Sequence, residues 1–575
     1  MASRLVARWV GVAIVTTLLL GATPLVAETK SAPSKIDPAL LADALANPNA
    51  IFHVIVRGSP NAALAKTGPS IASGKNGAAG ARAADDNRDR VKKAQDVLSS
   101  TQEVRRSLSI VGGASGTLRG SEIVGLSRAP LIERVVRDQT FNVSWEDEDA
   151  ASAVTEAGIL AVNAPLAWTS LGTSGKGIGV AVIDSGVADH PDLAGRIVAR
   201  VDFTGEHSTG DPGGHGTHVA GLIAGDGTAS HGMWTGVAPQ ANIVSVRVID
   251  ANGHATLSTI FAGMQWVLAN RVTYNIKVVN MSFGAPALSG YQNDLLASAA
   301  EMLYFAGLTV VVSAGNSGPG PSTITAPATD PFVISVGADD DNGTAGRGDD
   351  SVALWSSRGP TAFDGIVKPD LIAPGRKMIG LRSAGSAIDT AYPDRRVTAP
   401  GAANAQYFTM SGTSMAAPIV AGVAALYLER NTQANPLLVK RQLVGTAHPL
   451  IGVPPASQGG GVVDAYAALT TPAPWTGYTF YPASTAFAQQ VYAKLYGQPI
   501  TWRDPSFHGG VDSRGVKWTD ITWDNITWDD ITWEDITWEA FSWLDVTWED
   551  ITWEDITWEI AVAPLGGNGG WTLVN

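Results

Sequence analysis

Cysteine is absent from the 575 residues. That excludes a disulfide framework, a thiolate zinc site and a cysteine nucleophile, so a catalytic nucleophile is to be sought among the hydroxyls. Charge is sparse, at 16% of residues, and from Trp518 onward Lys and Arg are missing altogether while thirteen Asp and Glu are present. The formal net charge of -14 therefore sits in the tail, and the rest of the chain is close to neutral. Nucleic acid is excluded as a partner, because it demands a basic surface that displaces counterions from phosphates. Long apolar runs are lacking as well. The run from Trp9 to Leu20 falls short of the roughly 20 residues that span a bilayer. Preceded by Arg4 and Arg8 and followed by small residues up to Ala27, it reads as a secretory signal peptide over 1–27, and no transmembrane segment is expected after its removal.

What is present is a large apolar content, 45% hydrophobic residues over a length that suggests several units. Residues 28–150 contain an apolar strand pattern at Ile51–Val56 and a charged, helix-like stretch from Arg88 to Leu108, which together predict a small α+β unit. From about Ala151 β-rich runs at Ile178–Ile183, Ile243–Val248, Val278–Met281, Thr309–Val312 and Val333–Val336 alternate with helical patterns. The helical patterns cover His215–Ala224, Leu257–Asn270, Asp294–Phe305 and about Thr413–Glu429. This alternation predicts βαβ units and a parallel sheet covered on both faces. Gly459-Gly460-Gly461 precedes a change of composition near the end of this body, whose limits are placed at 151–470.

Four segments carry chemistry. Ala181-Val182-Ile183-Asp184-Ser185-Gly186 is an apolar strand that ends in a carboxylate, and Gly214-His215-Gly216-Thr217-His218 opens a small-residue helix with an imidazole. Met410-Ser411-Gly412-Thr413-Ser414-Met415-Ala416-Ala417-Pro418 places a serine at a helix start, where backbone N–H groups and the dipole favour a developing oxyanion. Val312-Ser313-Ala314-Gly315-Asn316-Ser317-Gly318 ends a strand in a glycine turn bearing an amide.

Together these segments resemble the subtilisin-like serine proteases (the subtilases, peptidase family S8), in that family's order of Asp, His and Ser over about Ala151–Leu469. The resemblance implies Ser414 as nucleophile, His215 as general base and Asp184 as the carboxylate that orients the imidazole. It implies Asn316 as the oxyanion donor, beside the backbone N–H of Ser414. His218 is assigned to packing and hydrogen bonding. Val279–Gly284 resembles the strand that binds substrate backbone, so Ser282, Phe283 and Gly284 are expected on one wall of the S1 pocket, opposite Ala314 and Gly315. Thr325 falls on the pocket floor and makes it shallower, which suggests medium to large apolar P1 residues with broad tolerance elsewhere.

No cofactor is required by this chemistry. A structural calcium is left open: Asp192, in His190-Pro191-Asp192-Leu193, matches a family ligand, but Asp226–Trp234 lacks the loop that would complete six to eight oxygens. The stretch from Ile51 to about Val143 resembles the family's inhibitory propeptide, with a cut between about Asn142 and Ala161.

The tail lies outside the resemblance. From Trp518 to Trp558 a tryptophan recurs every five residues, close to Trp-Asp/Glu-Asp-Ile-Thr, an odd spacing that gives neither strand nor helix one apolar face. An acidic solubilising extension and an adhesive surface that stacks on sugars or engages a cell-surface partner both remain open.

The expected fold class is thus α/β: a subtilisin-like, doubly wound, mostly parallel sheet, preceded by a small α+β propeptide domain (28–150) and followed by a linker (471–517) and a repetitive acidic tail (518–575). The expected function is a secreted serine endopeptidase that acts on polypeptides through an acyl-enzyme and is held inactive by its own propeptide. The alternative is a cell-surface adhesion or assembly protein with an inactive protease-like body.

Overall fold

The computed structural model describes residues 35–59, 78–99, 104–142 and 157–473. The expected signal peptide, the acidic tail, nearly all of the linker and most of the expected propeptide cut region lie outside the described residues.

The N-terminal unit is an antiparallel four-stranded sheet of β1 (Ile51–Gly58), β2 (Val104–Leu108), β3 (Gly113–Arg119) and β4 (Ile132–Arg137), in the order β2-β3-β1-β4. Helices Pro38–Ala46 and Ala78–Ser99 accompany it, and Leu40, Val54, Val56, Ala94, Leu98 and Leu118 form its core. Here the sequence reading is corrected. The helix expected over Arg88–Leu108 ends at Ser99, and Val104–Leu108 is strand β2. Its burial steps residue by residue from Val104 to Ser107, which is the period-2 pattern of an edge strand and not that of a helical stripe.

A short strand, β5 (Thr140–Asn142), leaves this unit. The body then builds one sheet from β6 (Gly179–Asp184), β7 (Ile197–Asp202), β8 (Asn242–Arg247), β10 (Ile276–Met281), β11 (Thr309–Ser313), β12 (Ile334–Asp340), β13 (Ser351–Val352) and β14 (Leu371–Pro374); β9 (His254–Thr256) lies apart and pairs with β5. The order is β13-β12-β11-β10-β6-β8-β7, with β14 also on β12, and every pairing except β12–β13 is parallel. A parallel sheet needs both faces covered, and the strands read accordingly. Val180 and Val182 pack into one layer with helices His215–Ala224 and Thr413–Arg430. Ala181 and Ile183 pack into the other, with helices Leu257–Asn270 and Leu295–Phe305.

The chain starts this sheet at its middle, on β6, goes to the edge strand β7, returns to β8 between the two, and then crosses to build β10 to β12 on the other side. Such a reversal opens a crevice at the carboxyl ends of the strands, the usual ligand site of open α/β sheets. Helix Thr413–Arg430 is buried almost all round and crosses beneath β10, β11 and β12, and its Gly422 lets Val237 approach, where a Cβ would stand 2.6 Å from the Val237 Cβ. A smaller antiparallel sheet of β15 (Met378–Leu381), β16 (Arg396–Val397) and β17 (Tyr407–Met410) leads into that helix. The body continues past the triple glycine to helix Ala465–Thr470, which packs back on helix Thr413–Arg430. Among the described residues no helix is long and apolar enough to cross a membrane.

The N-terminal unit is seated on the body. Leu108, Ile110 and Val111 are buried in the same layer as helices Leu257–Asn270 and Leu295–Phe305. Gln265 Oε1 accepts from Ser109 Oγ at 2.7 Å. Asp138 faces the N-terminus of helix Leu257–Asn270, where it accepts from Ser258 N at 2.9 Å and Ser258 Oγ at 2.6 Å, a placement that also suits the helix dipole. Next to this contact, β5 runs antiparallel to β9, with Phe141 opposite Ala255.

Candidate active site

Asp184 ends β6 and Ser282 follows β10, while Ala314, Gly315 and Asn316 follow β11, so all emerge at the carboxyl edge of the sheet. His215 and Ser414 begin two helices that pack against each other.

Asp184 is fully buried, and its Oδ1 accepts from Ser185 N at 2.7 Å and meets His215 Nδ1 at 2.8 Å. With a carboxylate on Nδ1, the neutral imidazole carries its proton there and presents Nε2 as base. Burial opposes a charge on His215, but attraction to Asp184, the bond to it and the more distant Asp211 outweigh that penalty and raise its pKa above the ordinary histidine value. Gly216 makes the close fit possible: a Cβ there would stand 2.1 Å from Gly186 O and 3.1 Å from Asp184 Cβ.

Asp211 was not read from the sequence, yet it organises this corner. Its Oδ1 accepts from Ser185 Oγ at 2.8 Å and Gly214 N at 2.7 Å, and its Oδ2 accepts from Thr217 N at 2.8 Å and Thr217 Oγ1 at 2.6 Å. Ser185 Oγ in turn accepts from Gly216 N at 2.9 Å. Asp211 thereby caps the helix of His215 and ties it to the strand end of Asp184. The available signal was an Asp a few residues ahead of a helix start, a capping pattern.

The Ser414 hydroxyl donates to Ser282 O at 2.9 Å. The Ser282 side chain points away from the cleft: its Oγ donates to Ser414 O at 2.8 Å and accepts from Asn280 Nδ2 at 2.9 Å. Asn316 Oδ1 accepts from Thr413 N at 3.0 Å and Thr413 Oγ1 at 2.7 Å. Two donors on one side of the amide turn its Nδ2 the other way, next to Gly412, where it can donate to an oxyanion near Ser414. Thr413 was quoted within its motif but given no role, and the structure makes it the group that sets the orientation of Asn316.

The expected S1 walls are also found together. A Cβ on Gly284 would meet Thr325 Oγ1 at 2.2 Å, and one on Gly315 would meet Thr325 Cγ2 at 2.8 Å and Ser357 Oγ at 2.9 Å. Thr325 thus occupies the space between the two glycines, and its N and Oγ1 are held by Ala314 O. Phe283 has its side chain buried in the layer beneath the sheet, so it meets the cleft through its backbone alone.

His218 is structural, as assigned: its Nε2 lies 3.1 Å from Met378 O and 3.0 Å from Phe408 O, and burial and the nearby His215 push its pKa down to about 3. Asp192 does not offer the open carboxylate that a calcium ligand needs. Its Oδ1 accepts from Ala229 N at 2.7 Å and its Oδ2 from Tyr407 Oη at 2.7 Å, and no third His, Cys, Asp or Glu converges on it among the described residues. A calcium ion does not fit there.

This arrangement has counterparts. Residues 175–471 match the model of the subtilase family. The chain is 44% identical over 302 residues to the serine protease AprX of Bacillus subtilis (strain 168), covering 51% of this chain and 66% of that protein. It is 35% identical over 294 residues to subtilisin BL of Lederbergia lenta, covering 51% of this chain and 91% of the relative. To the M-protease of Shouchella clausii (strain KSM-K16) it is 34% identical over 319 residues, covering 55% and 71%. The chain belongs to the subtilase family. As a subtilase it has the fold class expected from its motifs, and the family's chemistry is that of serine endopeptidases.

Proposed function

We propose that this subtilase is a secreted serine endopeptidase that hydrolyses peptide bonds through an acyl-enzyme on Ser414, with Asp184 and His215 as its triad partners and Asn316 as oxyanion donor. The observation that carries the reading is the Asp184–His215 bond at the carboxyl edge of the sheet, beside a helix-start serine whose neighbour Thr413 orients Asn316.

In the resting geometry the proton of Ser414 is directed at Ser282 O. A substrate N–H that takes this carbonyl displaces the hydroxyl and releases it to His215 Nε2, so backbone recognition and activation of the nucleophile occur together. His215 takes the proton as Ser414 Oγ attacks the carbonyl carbon, and Asn316 Nδ2 and the Ser414 N–H hold the oxyanion. The same proton then goes to the leaving amine. Water, activated by His215, cleaves the ester.

Thr325 leaves room for an apolar P1 side chain but limits its depth, so medium side chains are taken ahead of large aromatic ones. Thr325→Gly is expected to raise kcat/KM for Phe or Tyr at P1 by about tenfold relative to Leu, the scale of added volume in an apolar pocket. An unchanged ratio in a series of P1-varied peptide substrates would remove Thr325 from the pocket.

The N-terminal unit is read as the inhibitory propeptide. Its support is the pairing of β5 with β9 and the grip of Asp138 on Ser258. Cleavage beyond Asn142 would free that strand edge for substrate. Its secretion rests on the leader-like first 27 residues, and the acidic tryptophan tail is offered as a surface or sugar-binding extension.

A further inference from the structure

Asp184 and Asp211 hold His215 by its ring and by its helix, and a further element holds the chain that leads into it. Between β15 and β17 the chain makes an excursion over 382–406 that contains the short helix Ala387–Ala391. Three consecutive carbonyls ahead of His215 are bound by it. Asp211 O accepts from Ser383 Oγ at 2.8 Å, Pro212 O from Ala387 N at 2.8 Å and Gly213 O from Ile388 N at 3.2 Å. Gly214 permits the contact, since a Cβ there would stand 2.4 Å from Ser386 Oγ. On the same side, Leu381 packs on Gly221 of the His215 helix, where a Cβ would stand 2.5 Å from Leu381 Cγ.

The excursion is itself fixed by a buried ion cluster. Asp389 is 2% exposed, and its oxygens accept from Arg382 Nε at 2.6 Å and Arg382 Nη2 at 2.8 Å, a bidentate pair. Arg396 Nε adds a bond to Oδ1 at 2.7 Å, and Gly385 N adds one to Oδ2 at 2.8 Å. Burial disfavours the charge, but the bonds from Arg382, Gly385 and Arg396 outweigh it and hold the carboxyl well below the ordinary carboxylate value. Arg382 directly follows β15 and Arg396 begins β16, so one carboxylate ties the two sides of the turn together. A buried ion pair contributes little net stability. Its use is to be sought in what the turn touches.

We propose that Asp389 is a positioning residue for His215, acting through the turn that it clamps and the backbone of Asp211, Pro212 and Gly213. The inference rests on His215 as the general base of the peptidase. Gly213 and Gly214 give the lead-in little stiffness of its own, so support from outside the segment sets its course. The imidazole must meet Ser414 Oγ and then the leaving amine, and a misplacement of about 1 Å costs on the order of 10²-fold in turnover.

The test compares the full-length gene product, after maturation, with its Asp389→Asn, Ser383→Ala and doubly substituted forms, by Tm and by steady-state kinetics on one peptide substrate well below the lowest Tm. Asp389→Asn keeps the shape of the side chain but turns one acceptor into a donor that faces the arginines. Its kcat is expected to fall by about tenfold to a hundredfold with little change in KM. Ser383→Ala removes a single hydroxyl and lowers kcat by about threefold. The double variant loses no more than Asp389→Asn, because both substitutions act on the same backbone. A lowered Tm with kcat unchanged would show a merely structural role and overturn the proposal, and so would losses that multiply in full. Should Asp389→Asn fail to fold or mature, Ser383→Ala decides alone, and an unchanged kcat overturns the proposal. A parent chain that cleaves no peptide would instead sink the endopeptidase reading, and the proposal with it.

Discussion

Asp211 and Asp339 are both buried carboxylates near strand ends, and they are treated in opposite ways. Asp211 meets four donors, two on each oxygen, and the result is a fixed helix start with His215 at its first position. Asp339 meets no such set of donors: its side-chain partner is another acid, Asp350, and only Arg347 offsets the surrounding carboxylates. A buried carboxylate that is fully hydrogen-bonded can position its neighbours, whereas one buried among other acids is pushed toward its neutral form, and Asp339 is pushed up to about 9. The corner that holds His215 is thus fixed by donors to a charged carboxylate, and Asp339 is not.

The largest break in this contrast is expected at the site itself. Asn316→Ala removes the side-chain donor held by Thr413 and lowers kcat by about 10²–10³ with little change in KM, the magnitude known for such a donor in this family. Steady-state kinetics on one peptide substrate measures it. Next comes Asp211→Asn. Removing that negative charge lowers the pKa of His215, because the attraction of Asp211 favours the imidazolium. The base acts as neutral imidazole, so the acid limb of the kcat/KM profile moves to lower pH. An acid limb that stays in place would show that Asp211 acts only through packing. The smallest effect is expected at the β12–β13 hairpin. Asp350→Asn gives Asp339 an amide donor and removes a repulsion, and calorimetry should find Tm raised by about 1–2 °C, the shift of a change near 1 kcal/mol in a body of more than 250 residues.

Much of the body was legible. The five strands read from β-rich runs are all present, and helices His215–Ala224 and Leu257–Asn270 have the expected bounds. These strands are buried on both faces and so carry continuous apolar runs. Strand β7, Ile197–Asp202, escaped because it lies at the sheet edge, is only partly buried and carries two charges. Strands β14 to β17 are too short to show a period. Asp184, His215 and Ser414 stood out because each sits in a local motif. Asp211, Thr413 and the Asp339–Asp350 pair did not, because their roles depend on partners brought together by the fold. Thr325 was placed on the pocket floor by resemblance, and its position between Gly284 and Gly315 gives that reading a geometry.

The central claim is that Ser414, activated through His215 and Asp184, cleaves peptide bonds, including the one that frees the body from its N-terminal unit. The most direct measurement is the intact mass of the full-length protein and of its Ser414→Ala form, secreted side by side. The account predicts that only the chain with Ser414 gains a new N-terminus between Asn142 and Ala161, together with peptide hydrolysis that the variant lacks. Identical termini in both chains, with hydrolysis unchanged by the substitution, would contradict it.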